Sequence, residues 1–235
     1  MSHPVTTQWI DIAPGFAGYL ALPPGGTGPG LLLWQEIFGV NGHMRAVAEQ
    51  YALAGFVVLA PDAFWRQAPH VELGYTGDDF QRAIGLMQGY AAPDALADIA
   101  AAMKTLRARP ELTGKVGSLG YCLGGRLAYL TAATTDVDAA VPYYGGGIQG
   151  QLDRAAAIRC PLQFHYAEQD NNIPLSAVEQ VRAALPALPG VTHELHVYPG
   201  AHHGFNCWAR ASYHASSAAL AHGRALTFLS TQLFT

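Results

Sequence analysis

A cysteine, an aspartate and a histidine follow one another along this chain, each just past an apolar run. Cys122 lies in SLGYCLGGR (118–126), Asp170 in HYAEQDNNIP (165–174), and His202 and His203 in YPGAHHGF (198–205). These residue types can carry out acyl transfer. A thiol needs a base to become a nucleophile, and a histidine base needs a carboxylate to fix its tautomer. Gly120, Gly124 and Gly125 leave room for a sharp strand-to-helix turn at Cys122. A sulfur at a helix N-terminus is favoured as thiolate. Ser118 sits inside the apolar run, and no G-x-S-x-G occurs, so cysteine is the available elbow nucleophile.

Taken singly, each residue also fits a plainer role. A buried cysteine is often an inert small hydrophobe, an aspartate before Asn-Asn suits a turn, and a histidine pair can sit idle in a loop. Glu36, in WQEIFGVNGH (34–43), reads alone as a surface acid at a strand end. It also lies in the loop that supplies an oxyanion-hole N–H in hydrolases of this plan. His193, His196 and Cys207 lie near the histidine pair, but without H-x-x-x-H or C-x-x-C spacing no metal site is expected. The order nucleophile, acid, histidine is far more specific than its members.

The elements that must position these residues can be read from periodicity. Apolar runs at 30–34, 56–61, 115–121, 139–145, 161–167 and 193–199 predict strands. Amphipathic stretches near 43–54, 78–90, 95–108, 124–134, 175–187 and 213–233 predict the helices between them. Such alternation implies an α/β fold, a doubly wound and mostly parallel sheet with helices on both faces. The opening TQWIDI…GYLALP predicts a hairpin at one edge. Ligands in such sheets bind at the carboxyl ends of the strands, where Glu36, Cys122, Asp170 and the histidine pair fall.

The totals set further bounds. Half of the 235 residues are apolar, 13% are charged and the net charge is −4, without a basic cluster. This describes a compact protein of one domain spanning residues 1–235, with no nucleic-acid partner. Three cysteines without paired spacing indicate no disulfide framework. The start MSHPVTTQWIDIAPG has no leader pattern and no run reaches membrane-spanning length, so a cytoplasmic protein with no membrane partner is expected.

Six motifs together resemble the dienelactone hydrolase (carboxymethylenebutenolidase) family: QEIFGVN (35–41), PDAFWRQAP (61–69), GKVGSLGYCLGG (114–125), YYGGGI (143–148), EQDNNIP (168–174) and GAHHGF (200–205). The resemblance runs from about residue 10 to the C-terminus. It implies an α/β-hydrolase fold without a large cap, and hydrolysis of a small lactone or activated ester with no cofactor. It further implies Cys122 as nucleophile, His203 rather than His202 as base, Asp170 as the residue orienting it, and Glu36 as a partner of the thiol. The N–H groups of Ile37 and Leu123 match the oxyanion hole. Tyr144, in YYGGGI, is placed with the substrate pocket.

Departures from the pattern touch the pocket. Where the family carries an arginine four residues after the histidine, this chain has Cys207. The family's arginine and tyrosine near residue 80 correspond to Phe80 and Ile84, with Arg82 close by on another face. The expectation is therefore an apolar pocket suited to neutral or aromatic esters, unless Arg45, Arg66, Arg82 or Arg210 restores a cation. A broad carboxylesterase or thioesterase is the alternative activity. A thiol redox sensor pairing Cys122 with Cys207 is the non-enzymatic one. A monomer is expected, with a homodimer as the alternative.

Overall fold

The computed structural model of the protein describes residues 4–187 and 191–235. Residues 1–3 of the opening MSHPVTTQWIDIAPG lie outside that range. Strands β1 (Thr6–Ala13) and β2 (Phe16–Leu22) form the opening hairpin, joined at Pro14-Gly15, where Gly15 takes φ +78°. The remaining strands are β3 (Gly28–Trp34), β4 (Val57–Pro61), β5 (Leu112–Tyr121), β6 (Ala139–Tyr143), β7 (Leu162–Ala167) and β8 (His193–Tyr198). Their order across the sheet is β1-β2-β4-β3-β5-β6-β7-β8. The β1–β2 and β2–β4 pairs are antiparallel, and all others are parallel. This is the mixed sheet of an α/β-hydrolase. β3, β4, β6 and β7 are buried along their whole length, as expected of strands covered on both faces.

The helices are α1 (Gly42–Leu53), α2 (Gly77–Gln88), α3 (Ala92–Arg107), α4 (Leu123–Thr134), α5 (Leu175–Ala184) and α6 (Ala215–Leu233). α1 and α6 share one face of the sheet, where Tyr51 meets His222 edge-on at 5.3 Å. α3 and α4 pack on the other face. Asn41 caps α1 by accepting from the Met44 N–H at 3.2 Å. α3 starts with a proline in its first turn and ends with Lys104 and Arg107, which suits its dipole.

Two local differences from the sequence reading have physical causes. β6 ends at Tyr143 rather than 145, because Tyr144 turns to φ +34°. The chain then enters an unforeseen 3₁₀ stretch, Ile148–Ala157, after Gly147 at φ +85°. The described residues form no cap domain over the strand ends, and no described helix is long and apolar enough to cross a membrane.

Register brings the sequence candidates to one edge. Trp34 at the end of β3 pairs with Gly120, Tyr121 at the end of β5 with Tyr143, and Ala167 at the end of β7 with Tyr198. Glu36, Cys122, Asp170 and His203 all follow these ends. α4 is pressed against the same ends. Trp34 Nε1 donates to Thr131 Oγ1 at 3.1 Å, and a Cβ on Gly124 would stand 2.2 Å from the Trp34 carbonyl oxygen. Gly124→Ala therefore has to push α4 off β3. It should lower stability by about 2–3 kcal/mol, read as a fall in the urea midpoint at unchanged slope.

Candidate active site

Cys122 occupies the turn between β5 and α4 with φ 58° and ψ −115°, a conformation that non-glycine residues rarely adopt. The surroundings hold it there. Its N–H donates to the Tyr143 carbonyl at 3.1 Å, and its own carbonyl accepts from Gly125 and Arg126 in the first turn of α4. The sulfur is thereby turned outward at the helix N-terminus. Cys122 is half-buried, whereas Cys160 and Cys207 are buried, and all three are free thiols.

Asp170 and His203 complete a continuous line of contacts. Asp170 Oδ1 accepts from the N–H groups of Asn172 (2.8 Å) and Ile173 (3.1 Å), which fix the carboxylate. Its Oδ2 lies 2.7 Å from His203 Nδ1, and His203 Nε2 lies 3.1 Å from Cys122 Sγ. Burial disfavours a charged His203. The electrostatic influence of Cys122 and the hydrogen bond that the ring donates to Asp170 outweigh it, and the pKa is raised to about 10. His202 points away, exposed, with Nδ1 3.0 Å from the Gln169 carbonyl. The structure thus joins Cys122, Asp170 and His203, and separates the two neighbouring histidines.

Glu36 does not take the position expected of it. It is 1% exposed, so it is not a surface acid. Its Oε1 accepts from Arg210 Nη1 at 3.0 Å, and among the described residues its Oε2 has no hydrogen-bond partner. The Cys122 thiol is hydrogen-bonded to His203 instead. Burial would lower the Arg210 pKa, but Glu36 beside it raises it, so the guanidinium stays charged. Gly204, at φ +79°, makes room for this cation. A Cβ there would stand 2.4 Å from Arg210 Nη1.

A cleft of about 330 Å³ opens over the sulfur. Its lining includes Cys122, His203, Ile37, Leu123, Phe38, Phe80, Ile84 and Met87, together with Arg126 and Arg210. Phe80 and Ile84 line the cleft as expected. Arg82 does not. It is exposed, two residues from each of them and so on a different face of α2. Cys207 is fully buried behind the wall, near Tyr75 and Glu36, and forms no bridge to Cys122. Tyr144 is buried edge-on to His203 at 5.1 Å and supports the ring from beneath instead of lining the cleft.

The expected loss of cations is also corrected. Arg210 reaches the cleft from seven residues past His203, where a family-based alignment looks only four residues along. Arg126 enters from α4, a position sequence reasoning missed. Its signal was present, a charged residue one helical turn after the elbow cysteine. Arg45 and Arg66 are engaged elsewhere, by Glu72 and Asp98. Among the described residues, no group of three or more His, Cys, Asp or Glu side chains is placed to hold a metal ion.

Comparisons with known proteins bear on the family and the fold. The model of the dienelactone hydrolase family matches residues 16–233. Carboxymethylenebutenolidase from Pseudomonas putida is 37% identical over 216 residues, covering 91% of this chain and 90% of that protein. Carboxymethylenebutenolidase 1 from Cupriavidus pinatubonensis is 31% identical over 217 residues, covering 91% of each. Two solved structures share the fold at lower identity. A dienelactone hydrolase-like promiscuous phosphotriesterase from metagenomic libraries has TM-score 0.83 at 22% identity, over 97% of this chain and 99% of that one. A dienelactone hydrolase from Anabaena variabilis has TM-score 0.69 at 20% identity, over 98% and 100%.

Two measurements follow from the site's electrostatics. Iodoacetamide should label Cys122 alone in the folded protein, because burial pushes the Cys160 and Cys207 thiols up to about 12. Peptide mass mapping reads this directly. The His203 ring should stay protonated through neutral pH and titrate near 10 by NMR. A raised pKa of this kind stabilises the fold fully below about 6.5, the unfolded value, and that contribution is lost as pH rises toward 10. Cys122→Ala should bring the His203 titration down toward the ordinary histidine range.

Proposed function

Because this chain belongs to the dienelactone hydrolase family, we propose that it cleaves a small lactone or activated carboxylic ester through a thioester on Cys122. The observation that carries the reading is the unbroken line Asp170–His203–Cys122, at 2.7 and 3.1 Å, with its sulfur end in the cleft. The hydrogen bonds of His203 to Asp170 and to Cys122 Sγ poise the ring to hold the thiol's proton as the sulfur attacks.

The steps follow from that arrangement. The sulfur attacks the carbonyl carbon, and the carbonyl oxygen takes the negative charge. Leu123 is the first residue of α4, so its N–H belongs to the unpaired first turn. With the Ile37 N–H it forms the oxyanion hole. One such donor is worth about 3–4 kcal/mol. The ring C–O bond then breaks, and His203 gives its proton to the leaving oxygen. In an enol lactone the leaving oxygen is an enolate, a much better leaving group than an alkoxide. That favours forward collapse over return of the thiolate. His203 next takes a proton from water, whose oxygen attacks the thioester. The thiolate leaves, and a free carboxylic acid is released.

A broader esterase for neutral aromatic esters is the second reading. Phe38, Phe80, Ile84 and Met87 give the cleft a wall that would accept an aryl ring.

Cys122→Ala and His203→Ala should each lower kcat/KM by about a thousandfold or more. His202→Ala, Cys160→Ala and Cys207→Ser should keep the chemistry. A slow ester substrate should leave an acyl mass on the Cys122 peptide after acid quench. Hydrolysis undiminished in Cys122→Ala, or an acyl group mapped to another residue, overturns the mechanism.

A further inference from the structure

The sheet ends at β8, and that edge is bare. The Leu162 N–H donates to the Thr192 carbonyl and the Glu168 N–H to the Tyr198 carbonyl, so the even-numbered residues here bond toward β7. Backbone groups alternate in direction along a strand, so those of His193, Leu195 and Val197 point away from the sheet. Among the described residues, no strand pairs with them. An open edge is a template for another strand, and proteins blunt it with a bulge, a proline or a lysine. The opposite edge follows that rule, because β1 is irregular between Asp11 and Ala13. β8 has none of these devices. Its sequence HELHVY runs in unbroken register with β7.

The side chains of β8 select a second copy of the chain as the occupant. We propose that the protein forms a two-fold dimer by antiparallel pairing of β8 about Leu195. An axis centred on Glu194 would set two carboxylates face to face. Centred on His196, it would turn His193 toward Pro199, which has no N–H to give. Centred on Leu195, it lets His193, Leu195 and Val197 of each copy all exchange bonds. Glu194 then stands opposite His196 of the partner subunit, and this pair takes the non-hydrogen-bonded position, where side chains come closest. Within one chain the two groups already meet, with His196 Nε2 3.0 Å from Glu194 Oε2. The dimer extends that contact into a ladder of carboxylates and imidazoles across the axis. A strand pair alone is small for a stable interface. Here an open groove of about 520 Å³ continues it along α6, bordered by Leu220, Gly223, Arg224 and Thr227, with Leu220 50% exposed. Covering Leu220 adds apolar area to the strand pair. The carboxyl ends of the two sheets face opposite ways, so both clefts stay open.

Sedimentation equilibrium of the full chain between about 1 and 100 µM reads the mass directly. A two-chain mass is expected, and amide exchange at His193, Leu195 and Val197 should slow as concentration rises. Leu195→Lys sets like charges across the axis and should raise the dimer dissociation constant about tenfold or more. Glu194→Lys and His196→Glu should each self-associate less than the intact protein. An equal mixture of those two variants should associate again, because each residue then meets its opposite. Circular dichroism like that of the intact protein shows that the variants fold. A single-chain mass at every concentration overturns the proposal, and so does a dimer indifferent to Leu195→Lys. A mixture that fails to associate overturns the pairing about Leu195.

Discussion

The left-handed turn at Cys122 is the constraint from which the site follows. A cysteine at φ 58° resists its own backbone, and nothing local relieves it. What holds it is the fit of α4 against the ends of β3, β5 and β6. Gly120, Gly124 and Gly125 allow that fit, since a Cβ on any of them would meet a backbone carbonyl at 2.1–2.3 Å. The same fit pins the Leu123 N–H, the Cys122 sulfur and the Arg126 side chain in one frame. Strain at one residue is thus the local cost of a rigid relation among three.

The buried Glu36–Arg210 pair is the second fixed point. Its side chains are 2% and 17% exposed. Removing one partner from a buried pair typically costs about 3–5 kcal/mol, because the survivor is left uncompensated. Here the pair spans 174 residues of chain and ties the loop after β3 to the loop after His203. It therefore holds Ile37 and His203 in mutual register across the cleft.

Much of this was legible in the sequence, and the reasons differ by element. The strands and helices were readable because the sheet buries whole runs such as LLLW and VVLA, and because α2 and α3 keep a helical period. Cys122, Asp170 and His203 were readable because each follows a strand end, where the polypeptide has to turn and side chains face the crevice. The cations were not. Whether Arg210 reaches the cleft depends on the tight turns from His203 to Tyr213, and spacing along the sequence does not encode those. Cys207 illustrates the converse. Counting residues put it in the pocket, while the turn bond from its N–H to the Gly204 carbonyl, 2.9 Å, turned it inward.

Gly204 and Arg210 occupy one volume between them, and that makes their histories inseparable. A lineage that first lost the arginine would free the space beside position 204. Only residues tolerant of φ +79° could then move in, and any that did would block the arginine's return. A lineage that first changed the glycine would expel the guanidinium. Either order strands the buried Glu36 carboxylate at its first step, so positions 36, 204 and 210 should change together or not at all.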